Sequence, residues 1–171
     1  LAHEAETVMH TTQKTASVCG AMRLATRAAL EEARFQNRLG KTLFAAQTAQ
    51  MALQWAARCG DCWAKGMGHI LWAEALWRRG EYDSAEQKLT HALTIAHDIE
   101  STRLVGWCHH HFGIVNDLQN RPTVSLDHLQ RALTAWTAIN NSQALIGTLH
   151  SINIVYFNQG DLVEAQQASE Q

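Results

Sequence analysis

The stretch Trp107-Cys108-His109-His110-His111-Phe112-Gly113 places one thiol beside three consecutive imidazoles. Thiolates and imidazoles are the usual zinc ligands, and imidazole is the acid-base group of neutral pH. A second stretch, Cys59-Gly60-Asp61-Cys62, has the Cys-x-x-Cys spacing of redox and zinc sites. Spacing argues against chemistry at either. On a helix, consecutive side chains diverge by about 100°, so the three histidines face different neighbours and only Cys108 and His111 share a face. A metal would need ligands from other segments, His69 lying forty residues before His109 and His150 forty after His110. The Cys-x-x-Cys has no second pair and sits in a turn-like segment, so its cysteines read as small structural residues. Cys19, forty residues before Cys59, is close enough in register for adventitious oxidation. A metal or redox function at the Cys and His cluster is kept as a rival reading, but no metal and no cofactor are expected. His110 and His150, if adjacent, would make ligand affinity respond to pH near the ordinary imidazole pKa of about 6.5. A Gly-rich phosphate loop, a nucleophile elbow and a His-Glu-x-x-His helix are all missing. The chain is not expected to be an enzyme.

The bulk composition sets the class of element that carries these residues. With 171 residues, 46% hydrophobic and 18% charged, the chain is long enough to bury a core. No apolar run approaches the 18 or so residues of a membrane span, and the first residues, LAHEAETVMH, lack a basic-then-apolar leader pattern. A cytoplasmic location and no membrane contact follow as expectations. Lys plus Arg number 14 against 16 Asp plus Glu, with no basic block beyond Arg78-Arg79, so direct nucleic-acid binding is not expected. The cysteines, 4 in number and dispersed, read as reduced thiols. A single proline, Pro122, removes the commonest helix breaker and favours an all-α chain.

The chain repeats itself every forty residues. Gly40, Gly80, Asn120 and Gly160 are so related, and each ends one helical pattern. The same step joins Ala45, Ala85, Ser125 and Ala165, joins Ala52-Leu53, Ala92-Leu93 and Ala132-Leu133, and joins Ala33, Ala73 and Gly113. It aligns Trp72, Phe112 and Ile152 as large apolar partners. ASVCG ending at Gly20 recurs as AARCG ending at Gly60, so the chain begins in mid-repeat. The periodicity predicts helices over about 2–18, 22–39, 42–58, 62–79, 83–98, 102–118, 122–138, 142–158 and 162–171. A helix of about sixteen residues is marginal alone, so each pair must rest on its neighbours in a one-dimensional stack. One continuous domain, 1–171, is expected. Neither end has a capping helix, which points to a fragment of a longer protein or to ends covered by a partner.

HILWAEALWRRGEYDSAEQKLTHALTIAH carries Trp72, Ala73, Leu76, Gly80, Tyr82, Ala85, Leu89 and Ala92 in an order that resembles the tetratricopeptide repeat. The next unit keeps Phe112, Gly113, Leu129 and Ala132 with a turn of Asn120-Arg121-Pro122. The last keeps Ile152, Tyr156, Gly160, Leu162 and Ala165. The unit around Gly40 departs by placing Glu32 and Gln36 where the pattern is apolar. The resemblance implies a right-handed α-solenoid of about four repeats of antiparallel helix pairs. The family's usual period is about 34 residues; the longer form is similar to the repeats of maltose-regulon-activator-type bacterial regulators and of those preceding diguanylate cyclases or kinases. It implies a sensor or scaffold region of a signalling or regulatory protein.

In this family the first helix of each pair lines the concave surface. The residues there would be Met67, Ile70, Glu74 and Trp77; then Trp107, His110, Ile114 and Asp117; then Gly147, His150, Ile154 and Phe157. So apolar a row, opposite the stripe that already makes the core, suggests a groove for a protein, a peptide or a small effector. Lateral packing between repeats is the competing explanation. Arg27, Arg34 and Arg38 would make one end of the groove basic, unless Glu31 and Glu32 neutralise them. The Lys and Asn clamp of chaperone-docking members is unmatched, its positions being Ile70, Glu74, His111, Gly147 and Ser151. Self-association through the uncapped ends, giving a homo-oligomer, is the structural alternative.

Overall fold

The computed structural model describes residues 2–160, with side chains from Val18 onward. The helix expected over 162–171, with Leu162 and Ala165, lies outside them. Seven helices follow one another: α1 (Ala2–Arg38), α2 (Thr42–Cys59), α3 (Cys62–Trp77), α4 (Tyr82–Asp98), α5 (Thr102–Leu118), α6 (Pro122–Ala138) and α7 (Ser142–Gln159). No strand occurs among the described residues.

A left-handed residue ends each helix at a spacing of twenty: Gly40, Gly60, Gly80, Glu100, Asn120, Asn140 and Gly160 all have φ between 51° and 81°. The next N–H then reaches five residues back, as from Lys41 to the Gln36 carbonyl, Glu81 to Leu76, Ser101 to Ala96, Arg121 to Asn116 and Asn141 to Trp136. These bonds satisfy the last helical carbonyls and reverse the chain. Asp61, Ser101 and Asn141 cap α3, α5 and α7 by accepting from the backbone N–H of Ala64, Leu104 and Ala144. Pro122 opens α6, where its missing N–H costs nothing.

The turn expected at Gly20 does not form, and the predicted helices 2–18 and 22–39 are one element, α1. Forty, eighty and 120 residues on, the residue at Ala21's position is Asp61, Ser101 or Asn141, each of which caps a helix; the Ala21 side chain has no acceptor to do so. Gly20 stays helical at a cost of about 1 kcal/mol relative to Ala.

Burial follows the forty-residue register. Ala33 and Ala73, then Ala45, Ala85 and Ser125, then Ala52, Ala92 and Ala132 have no exposed surface. These small residues set the helix spacing: a Cβ on Gly113 would stand 2.5 Å from Leu129 Cγ. On Gly147 it would meet nothing within 4 Å. Gly147→Ala is therefore expected to stabilise by about 0.5–1 kcal/mol through helix propensity, and Gly113→Ala to destabilise by about 1–3 kcal/mol through overpacking. Urea denaturation of both variants checks the opposite signs.

Contacts fix the shape. α1 touches α3, α3 touches α5 and α5 touches α7, whereas no two of α2, α4 and α6 meet. An array closed along one row of helices and splayed along the other is curved, with α1, α3, α5 and α7 on the inside.

Candidate binding groove

The inner row encloses a pocket of about 250 Å³ at its centre. Seven residues expected on the inner face line it: Met67, Ile70, Glu74 and Trp77 of α3, with Trp107, His110 and Ile114 of α5. Met67 and Ile70 are only 3% and 1% exposed, so they form a floor continuous with the packing between repeats. Trp77, Trp107 and Ile114 are half-buried and form walls. The apolar row thus divides between lateral packing and open surface. A hollow of about 410 Å³ continues toward Arg27, Leu30 and Trp63. Another, about 340 Å³, continues past Trp107 and His110 toward Asn141 and Gly147. Arg34 lines all three, so they are parts of one groove.

Four of the expected residues lie outside these hollows. His150, Ile154 and Phe157 are exposed on α7. Asp117 accepts from Asn158 Nδ2 at 3.1 Å, and burial raises its carboxyl pKa against that hydrogen bond.

Arginine enters from the facing helix. Arg27 and Arg34 of α1 line the hollow at one end, as expected, but Arg34 and Arg38 also lie on the wall of the central pocket. Arg34 Nη1 meets Glu31 at 3.1 Å. Glu32 accepts instead from Gln36 Nε2 at 2.9 Å. Arg38 makes no ion pair or hydrogen bond among the described residues. Opposite, Arg78 donates to Glu74 Oε1 from Nε at 3.1 Å and Nη2 at 2.9 Å, with its guanidinium 4.7 Å from the Trp77 ring centroid. His111 also lines the pocket, although its position forty residues earlier is the core residue Leu71.

The histidines of the triplet diverge as helical geometry requires, but to partners other than those the register suggested. His109 meets His128 of α6, Nδ1 to Nδ1 at 3.0 Å, rather than His69. His69 instead lies beside His91, ring centroids 5.5 Å apart. His110 reaches Thr148 Oγ1 at 3.0 Å while His150 stays exposed. Thr148 donates its own proton to the Ala144 carbonyl at 2.9 Å and accepts from Trp136 Nε1 at 3.1 Å. His110 must then donate from Nδ1, leaving Nε2 as its acceptor. Burial, then the neighbouring His111, pushes the His110 pKa down to about 3. That overturns the expected affinity switch near 6.5, because this imidazole is already neutral there. Burial likewise pushes the Cys108 thiol up to about 12, so it is a packed, unreactive group. Cys19, Cys59, Cys62 and Cys108 are all free. No group of three or more His, Cys, Asp or Glu among the described residues is placed to hold a metal ion.

Residues 66–138 match the family model of the tetratricopeptide repeat. That span runs from α3 to the end of α6, two helix pairs. Solved structures extend the likeness to nearly the whole chain. Aspartyl phosphate phosphatase F from Bacillus subtilis is 16% identical with a TM-score of 0.73, over 84% of this chain and 39% of that one. BtubC from P. vanneervenii is 18% identical with a TM-score of 0.68, over 87% of this chain and 62% of that one. The apo form of RapI is 18% identical with a TM-score of 0.68, over 92% of this chain and 47% of that one. This chain thus spans less than two thirds of each structure, and at such identities the likeness is one of fold: an all-α, tetratricopeptide-like solenoid. No curated protein sequence matches. No helix among the described residues is long and apolar enough to cross a membrane.

Proposed function

We propose that the concave face binds a segment of a partner protein across Trp77, Trp107 and Ile114, and that the chain is a cytoplasmic sensor or scaffold region of a bacterial signalling or regulatory protein, without catalysis of its own. The observation that carries this reading is the half-buried apolar wall left on the inner face after the core between helices has closed. The match to the tetratricopeptide repeat supports it. Burying one such side chain contributes roughly 1.5–3 kcal/mol, so two or three anchors reach micromolar affinity after the cost of association.

The test uses peptides selected from a random library against the whole chain. Ile114→Glu is expected to weaken a selected peptide at least about tenfold, which is about 1.4 kcal/mol. Ile114 is the better probe because Trp107 also packs edge-on against Trp136, with ring centroids 5.2 Å apart. Unchanged affinity for every selected peptide would move the site off this face. Self-association is the second reading, and the exposure of Phe35, Leu39, Leu43 and Phe44 around the first turn favours it. A chain that sediments as a monomer removes it.

A further inference from the structure

Resting on that reading, we propose that the central pocket is a carboxylate subsite, taking an Asp or Glu side chain from the middle of the bound segment. Its wall carries Arg34, Arg38 and Arg78 against one acidic group, Glu74. Arg78 and Glu74 hold each other. Arg34 is shared with Glu31, whose side chain is largely exposed. Arg38, exposed at the pocket's mouth, has no acidic partner, so the pocket keeps an excess of positive charge. A planar guanidinium there suits a carboxylate, which it can bind through two parallel hydrogen bonds.

Two buried nitrogens on the same wall point to the same chemistry. Trp77 Nε1 and His111 Nδ1 are shielded from solvent and have no hydrogen-bond partner. His111 as a whole is 7% exposed. An indole N–H can only donate, so Trp77 lacks an acceptor, and His111 lacks one as well in the tautomer that carries its proton on Nδ1. Both atoms lie beneath the pocket's surface, so a carboxylate entering beside Arg38 would reach them only after the rings shift toward it. Glu74 is already held by Arg78 and Arg34 is shared with Glu31, so the charge left over is the single one of Arg38, which one carboxylate meets. The groove runs on past the pocket in both directions, so a bound chain passes through and contributes a side chain rather than its terminus.

The experiment selects peptides from the same random library, resynthesises them with amidated C-termini, and measures affinity together with the Trp77 indole N–H resonance. Selected peptides are expected to share one Asp or Glu, and its change to Asn or Gln should lower affinity about 10- to 100-fold. Arg38→Gln should cause a similar loss for the acidic peptide and little for its neutral version, while Arg23→Gln, exposed on the same helix, changes neither. The Trp77 resonance should move downfield only with the acidic peptide. If Ile114→Glu weakens binding but the neutral peptide binds as well as the acidic one, the subsite is wrong and the groove stands. Loss of binding on amidation assigns the carboxylate to a chain terminus and overturns the side-chain assignment; tighter binding of a phosphoserine version overturns the anion class. A library that yields no binder overturns groove and subsite together.

Discussion

Acidification from pH 7 to pH 5 is expected to lower the urea midpoint steeply, with up to roughly four protons taken up on unfolding. His69, His109 and His111 are held near a pKa of about 4 and His110 near about 3, in each case chiefly by burial. Nearby positive charge adds to the shift: Lys88 and Lys65 at His69, Arg131 at His109, and Arg78 at His111. These folded-state values lie below the unfolded value of about 6.5. The unfolded chain therefore binds protons that the folded chain refuses. The stability from these groups is fully present above pH 6.5 and is lost as pH falls through the window from 6.5 to about 4. Each proton of difference is worth about 1.4 kcal/mol per pH unit, so four reach at most about 5.5 kcal/mol per unit, comparable with the whole stability of an ordinary domain. His69 and His110 keep some solvent contact, which makes four the ceiling. His109 and His128 add a geometric reason: their 3.0 Å Nδ1 contact needs one ring to accept, which a doubly protonated pair cannot do. Urea midpoints at pH 7.5, 6.5, 5.5 and 5 check this. A midpoint flat across that range contradicts the burial of the imidazoles.

Trp136→Ala is expected to cost about 3–5 kcal/mol and to release α6 and α7 before α3 and α4. Its indole is fully buried, and Nε1–H is satisfied by Thr148. Forty and eighty residues earlier the same place holds Ala96 and Ala56, so Trp136 is a large side chain in a small slot. Gly106 makes the room, since a Cβ there would stand 2.7 Å from the indole. Gly106→Ala is accordingly destabilising alone and neutral or helpful beside Trp136→Ala, a sign change that only direct contact produces. Urea denaturation and hydrogen exchange read both effects. Strictly additive energies, or a loss under about 1 kcal/mol for Trp136→Ala, would contradict this packing.

The forty-residue register was readable because the positions that repeat are those where helices touch, where only Ala, Ser or Gly fits: Ala45, Ala85 and Ser125 are all fully buried. Turns were readable for a related reason, Gly40, Gly80, Asn120 and Gly160 being types that adopt positive φ cheaply. Gly20 misled because a glycine permits a helix to end without requiring it: Ala21 lacks the cap that Asp61, Ser101 and Asn141 supply at its register position, although Lys41, Glu81 and Arg121 open helices without one. Glu100 shows the converse, taking φ 51° without glycine because the chain must turn there. The groove was less legible. A helical period says which side of α3 or α5 faces inward, but not how far a long side chain reaches from α1. Arg38 was therefore expected at one end of the surface and stands instead in its central pocket. The partners of His109 and His110 depend on how α6 and α7 seat against α5, which a repeat register alone does not specify.

Trp77 and Trp107 line the groove, whereas Trp55 lies on α2, away from it. The most direct measurement is therefore a two-dimensional NMR titration of the whole chain with a selected peptide, following the indole N–H signals. Movement of the Trp77 and Trp107 signals with a still Trp55 signal is the predicted result. Movement confined to Trp55, or peptide binding that leaves Trp77 and Trp107 unmoved, would place recognition on another surface.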